Sequence, residues 1–393
     1  MKLKIVNGQI ITPNRILSGG SMLISEGKIA EISEHAIDAP DATEINAKGS
    51  YVSPGFIDIH IHGGGGHDFM DNTTRAFLGI AQMHARHGTT AMLPTTLSCE
   101  KADLIETLKI YDEADRLNTQ GSQFIGLHIE GPYFAMNQRG AQDPRYIRDP
   151  DPEEYKEMLS LSKSIKRWSA APELKGAIEF GRFMVTNEVL PAIAHTDAIY
   201  EEVMEAFHTG YTLATHFYSA MSGVTRRNGF RYAGVIESAY LIDDMDVEII
   251  ADGIHLPAPL LQLVYKIKGS GRTALITDAM RAAGMPEGES ILGSYKNGIK
   301  VIVEDGVAKM PDRNSFAGSV ATFDRLVRNM VQIAKVPLIE AVRMASETPA
   351  RIMKIENKKG SLTVGKDADI VIFDENIHIA TTIVNGKIVY TYT

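Results

Sequence analysis

Five potential metal ligands and one further carboxylate recur at matching places along this chain. His60 and His62 end the apolar run 55–62, Glu130 ends 124–130, His195 ends 190–195, His216 ends 211–216, and Asp278 directly follows 274–277. Imidazole and carboxylate donors suit zinc, iron or manganese, and a single cysteine, Cys99, cannot build a thiolate cage. Such a ligand set is enough for one divalent metal with an open coordination position, or for two neighbouring metals. A metal in such a site lowers the pKa of water toward ~7. Asp278 could then take a proton and return it to a leaving amine, which is the acid–base work of amide hydrolysis.

For these side chains to act together, the backbone must carry five run ends to one place. The sequence holds eight short apolar runs, 55–62, 90–95, 124–130, 167–172, 190–195, 211–216, 247–251 and 274–277. Helix-like patterns at 74–87, 101–117, 151–162, 174–187, 199–209 and 258–268 fall between them, and a further helical tract covers 320–333 and 338–346. Strands alternating with helices predict an α/β fold, a (β/α)8 TIM-type barrel, in which functional groups gather at the C-terminal strand ends. The period of two along a strand puts His60 and His62 on one face, and likewise His128 and Glu130. Residues 1–53 and 357–393 are instead β-rich, with hairpin-type breaks at Asn7-Gly8, Glu26-Gly27 and Asn385-Gly386. The expected organisation is a barrel over 54–356 and one small β-sandwich domain built from both flanks.

Composition excludes other classes. Forty Lys and Arg against 49 Asp and Glu give a net charge of −9, which disfavours a nucleic-acid partner. The chain shows no signal-peptide pattern and no continuous apolar stretch of about 18 residues, so a soluble cytoplasmic protein with no membrane partner is expected. The run Gly63 to Gly66 matches neither a G-x-G-x-x-G phosphate loop nor a G-x-S-x-G elbow, and reads as a loop that lets a substrate approach the metals. His84 and His87, near a helix end, read as capping residues, and His67 and Asp68 as loop residues. His128 either faces the barrel interior as a site residue or packs beneath Glu130. Arg226, Arg227 and Arg231 lie in one segment after the sixth run, suited to a phosphate or to a solvated or intersubunit role.

The motifs Pro54-Gly55-Phe56-Ile57-Asp58-Ile59-His60-Ile61-His62-Gly63, Gly126-Leu127-His128-Ile129-Glu130-Gly131-Pro132, Ala194-His195-Thr196, Thr215-His216, Asp252-Gly253-Ile254-His255 and Thr277-Asp278-Ala279-Met280 together resemble the amidohydrolase superfamily. Within it they are similar to the family of N-acetylglucosamine-6-phosphate deacetylases, over essentially the whole chain. The resemblance implies a principal metal on Glu130, His195 and His216, a second on His60 and His62, and Asp278 as the acid–base residue. Zinc is the first expectation for the metal, ahead of iron or manganese. The resemblance further implies substrate contacts from His255, Ala220, Ser219, Ala141, Gln142 and Arg227. Arg227 would reach the phosphate of an amino-sugar phosphate in a neighbouring subunit, hence a homodimer. Ser219 stands where the family commonly has Asn, and Gln142 where some members have a carbonyl-polarising His. Alternatives of the same chemistry are a deacetylase of another sugar epimer, such as N-acetylgalactosamine 6-phosphate, and a hydrolase of a cyclic amide or dipeptide. A barrel retained as a non-catalytic scaffold is the alternative of another class.

Overall fold

The computed structural model describes residues 2–392. Short strands alternate with helices through its middle: Phe56–Ile61, Thr89–Pro94, Leu127–Glu130, Ile165–Ala170, Leu190–Ile193, Leu213–Ala214, Asp246–Ile249 and Thr273–Leu275. Most are buried on both faces, which is why they appear in the sequence as continuous apolar runs rather than alternating ones. The last six form a parallel half-barrel in chain order, and Phe56–Ile61 and Thr89–Pro94 form a second parallel sheet with Gln123–Phe124. The two sheets touch at both edges. Thr95 bridges His128 in parallel, and the Asp278 N–H donates to the His60 carbonyl at 2.9 Å.

The expected run 124–130 is split. Gln123–Phe124 pairs with Thr89–Pro94, whereas Leu127–Glu130 pairs with Ile165–Ala170. Gly126, at φ +123°, makes the change of partner, and a Cβ there would collide with the Lys166 side chain. The helices follow their local signals. Pro152–Leu161 begins with Asp151 accepting the Glu153 N–H, Pro at the first turn and Glu153 and Glu154 beside it, and it buries Tyr155, Met158 and Leu159. Behind it Trp168, Tyr133 and Phe180 pack as one aromatic group, the Tyr133 and Trp168 rings stacked at 5.8 Å.

The chain ends meet in one eight-stranded sheet. Tyr51–Pro54 is its joint, parallel to Lys2–Ile11 on one side and antiparallel to Ile370–Phe373 on the other. Leu3, Ile5, Ile10, Met22, Ile24, Val52, Ile370, Ile372 and Ile383 share its core. A three-stranded antiparallel sheet, Gly288–Leu292, Ile299–Glu304 and Val307–Lys309, has no counterpart in the sequence reading. It follows the eighth strand, carries its own apolar cluster of Leu292, Val301, Val303 and Ala308, and delivers residues 315–318 to the site described next. Among the described residues no helix is long and apolar enough to cross a membrane.

Candidate metal centre

Glu130 lies at the middle of the cluster. Its Oε1 is 3.3 Å from His60 Nε2, 3.4 Å from His195 Nε2 and 3.2 Å from His216 Nε2, and its Oε2 is 3.4 Å from His62 Nε2. Asp278 Oδ1 is 3.2 Å from His62 Nε2 and 3.5 Å from His60 Nε2. All six side chains are buried or nearly so. Two triads, His60–His62–Glu130 and Glu130–His195–His216, each bring their donor atoms within 4.8 Å of one another.

The backbone is bent to achieve this. His195, His216 and Asp278 adopt φ of +48°, +30° and +47°, the left-handed region that side chains with a Cβ rarely occupy and that recurs at functional sites. The strand therefore stops and turns at the reactive residue. Hydrogen bonds then set the rings. His195 Nδ1 is 2.7 Å from the Gln138 carbonyl, which can only accept, so Nδ1 carries the proton and Nε2 is left as a lone pair facing Glu130. The same ring packs on Phe134 at 4.3 Å.

The cluster suits a cation. His60 Nε2 faces His62 Nε2 at 3.3 Å, and His195 Nε2 faces His216 Nε2 at 3.2 Å, an arrangement of converging nitrogen lone pairs that a metal satisfies. Burial opposes a charge on His60, yet the carboxylates of Glu130 and Asp278 beside it favour positive charge at this place. Both carboxylates, despite burial, are held below their ordinary range by the surrounding histidines. The site thus concentrates negative potential in a buried place, and a divalent ion answers it.

A cavity of about 350 Å³ opens over this cluster, lined among others by Ala141, Gln142, Ser219, Ala220, His255 and Phe316. His255 Nδ1 donates to Asp252 Oδ2 at 2.7 Å and its ring packs on Phe316 at 4.7 Å. Gln142 lines the wall, but its amide is engaged with Ser98 and Glu130 rather than free toward the cavity. Arg227 stands apart. With Arg226 and Arg231 it lies on the exposed hairpin Thr225–Arg227 and Phe230–Tyr232, outside the lining of this chain's own cavity.

Several sequence readings change. His84 does not cap its helix: its buried ring donates through Nε2 to the Gly63 carbonyl at 2.9 Å, and burial lowers its pKa to about 4. Gly63 and Gly64 are not a substrate-approach loop. They pair with His67 and Asp68 in a buried hairpin, where a Cβ on Gly63 would meet the His67 carbonyl. Asp68 is correspondingly a cap, accepting from Met70 N–H at 2.9 Å and from Gly293 N–H at 3.0 Å. His128 packs beneath the cluster with both ring nitrogens on hydroxyls, Ser169 at 2.7 Å and Thr95 at 3.3 Å. The pair Arg167–Glu248 was missed. It is fully buried and bidentate, and Glu248 Oε2 faces His60 Nδ1 at 3.6 Å. A single charged residue in each of the apolar runs 167–172 and 247–251 was the available signal.

Comparison with known proteins agrees with this geometry. Residues 51–389 match the Amidohydrolase family. The chain is 36% identical over 373 residues to the N-acetylglucosamine-6-phosphate deacetylase of Lysinibacillus sphaericus, covering 93% of this chain and 92% of that one. It is 31% identical to the N-acetylgalactosamine-6-phosphate deacetylase of Escherichia coli O157:H7, covering 97% of each. Its structure is similar, at a TM-score of 0.91 and 28% identity over 99% of this chain and 100% of that one, to a mutant N-acetyl-D-glucosamine-6-phosphate deacetylase of Mycobacterium smegmatis in complex with N-acetyl-D-glucosamine-6-phosphate. The chain belongs to the amidohydrolase family, as a metal-dependent carbon–nitrogen hydrolase.

Proposed function

We propose that this chain hydrolyses the N-acetyl group of N-acetylglucosamine 6-phosphate, giving acetate and glucosamine 6-phosphate. The observation that carries the reading is the convergence of His60, His62, Glu130, His195, His216 and Asp278 beneath one cavity, in a chain 36% identical to a deacetylase of that name. Glu130, His195 and His216 would hold a principal divalent ion, zinc before iron or manganese, and His60 and His62 would hold a second. Such an ion supplies Lewis acidity to the acetyl carbonyl and acidifies water. Asp278 takes the proton of the attacking water and passes it to the departing amine. His255, oriented by Asp252, meets the sugar together with Ser219, Ala141 and the backbone of Ala220.

Arg227 completes the site of a second copy by reaching its substrate phosphate, which makes the working unit a homodimer. Its place on an exposed hairpin supports this, since an arginine outside its own cavity is free to enter another. The same reading takes the two parallel sheets as a closed (β/α)8 barrel over 54–356, supported by the edge contacts Thr95–His128 and Asp278–His60. Residues 1–53 and 357–393 make the companion β-sandwich domain. Cytoplasmic placement and a small-molecule substrate, with no nucleic-acid partner, fit the single cysteine and the charge of −9.

A second reading, N-acetylgalactosamine 6-phosphate as substrate, is supported by the relative of that activity. Acetate release from both hexosamine 6-phosphates, from unphosphorylated N-acetylglucosamine, and turnover of a cyclic amide and a dipeptide, test both readings on metal-loaded protein. Acetate from N-acetylglucosamine 6-phosphate, and not from the unphosphorylated sugar, is expected. Preference for the galacto epimer selects the second reading, and turnover only of the cyclic amide or dipeptide sinks both.

A further inference from the structure

Gln142 is 4% exposed and sits where two cavities meet, the one over the metal cluster and another of about 630 Å³ lined by Met70, Cys99 and Tyr146. Its amide is engaged at both ends. The Ser98 N–H donates to Oε1 at 2.8 Å, and Nε2 donates to Glu130 Oε2 at 2.7 Å. Only one orientation of the amide satisfies both, because a backbone N–H needs an acceptor and a carboxylate needs a donor. Glu130 itself is 2% exposed, and its Oε1 is the oxygen that faces His195 and His216.

We propose that Gln142 is a positioning residue for the metal centre: it ties Glu130 Oε2 to the loop at Ser98, so that Oε1 is the oxygen presented on the His195–His216 side. The last torsion of a glutamate is broad and nearly two-fold. Without a fixed donor on Oε2 the buried carboxylate would turn among four imidazoles, and part of its charge would lose its partner. A glutamine holds this polarity at every pH. A protonated imidazole in its place would have two donors and could no longer accept from Ser98. Gln142 therefore acts through Glu130 and does not touch the reacting acyl group, so carbonyl polarisation falls to other groups.

The inference rests on the metal-centre reading above, and the test separates the two. Full-length wild type, Gln142→Leu and Gln142→Met are stripped of metal and titrated with zinc against a chromophoric chelator. The visible spectrum of each cobalt(II)-loaded protein is then recorded, with thermal melting as the folding control. Gln142→Met keeps the length of the side chain, removes the donor to Glu130 and adds no charge, so it carries the test if Gln142→Leu does not fold. Both variants are expected to bind zinc on the order of 10–100-fold more weakly, with altered cobalt spectra and an unchanged KM. Equal zinc affinity and identical spectra in folded variants, with a raised KM, would overturn the proposal and make Gln142 a substrate contact. A wild type that takes up no zinc or cobalt overturns the metal-centre reading instead.

Discussion

His195, His216 and Asp278 each adopt a left-handed backbone, a conformation that costs on the order of 1–3 kcal/mol per residue and persists only where the surroundings enforce it. The return on that strain is that His195 and His216 face Glu130 while Asp278 faces His60 and His62. Asp278 is the member whose loss separates binding from chemistry, because its contacts to His60 and His62 lie at the edge of the cluster. Asp278→Asn is expected to lower kcat by about 10²–10⁴-fold while zinc content stays at the wild-type level, read by acetate release and metal analysis on the same preparation. Retained turnover would remove Asp278 from the acid–base role. The cluster was legible because strand-end spacing alone brings His60, His62, Glu130, His195 and His216 to one rim. The partners of Gln142 and His84 were not, since Ser98 and Gly63 become neighbours only through the fold.

Individual elements are joined by polar contacts that differ in how visible they are. His87, just past the helix Thr74–Ala85, meets Asp324 in the first turn of Phe323–Gln332 at 3.2 Å, tying the first helix to one of the last. Burial opposes ionised Asp324, but the hydrogen bond and charge of His87, aided by Arg328, bring its pKa down to about 2. A carboxyl held below its unfolded value of about 3.9 contributes stability that is complete above that pH and disappears as the pH falls through the folded value. Asp324→Asn is therefore expected to cost on the order of 2 kcal/mol near pH 5, where an imidazole is charged and the carboxylate ionised. The gap to wild type should narrow as the pH falls from about 4 toward about 2, as followed by urea midpoints. A gap that does not change across that window would exclude the ionised carboxylate as its source. The main strands and helices could be read from apolar runs and caps. The sheet Gly288–Lys309 could not, because its strands are half exposed and its apolar residues pack on their own cluster rather than on the main core.

At the scale of the whole molecule the exposed hairpin bearing Arg227 makes a testable demand on assembly. If each Arg227 serves the site of its partner, neither Arg227→Ala nor Asp278→Asn is efficient alone. A mixed dimer, however, contains one site with Asp278 intact and Arg227 supplied from across the interface. Dissociating and reassociating the two variants together is expected to yield more activity on the phosphorylated substrate than either alone, and an activity equal to the mean of the two would rule out sharing. The pairing of the two flanks was foreseeable from their β-rich texture. The use of Tyr51–Pro54 as the joint between them was not, since it requires one strand to pair in parallel with one flank and antiparallel with the other. That joint also sets a clock on biosynthesis. Translation proceeds at about 5–20 residues per second, so the edge of Tyr51–Pro54 that pairs with Ile370–Phe373 waits some tens of seconds for its partner to be made. An open strand edge held that long on a nascent chain invites pairing with other chains, so yield in cells should respond to chaperone supply more than the stability of the finished protein suggests.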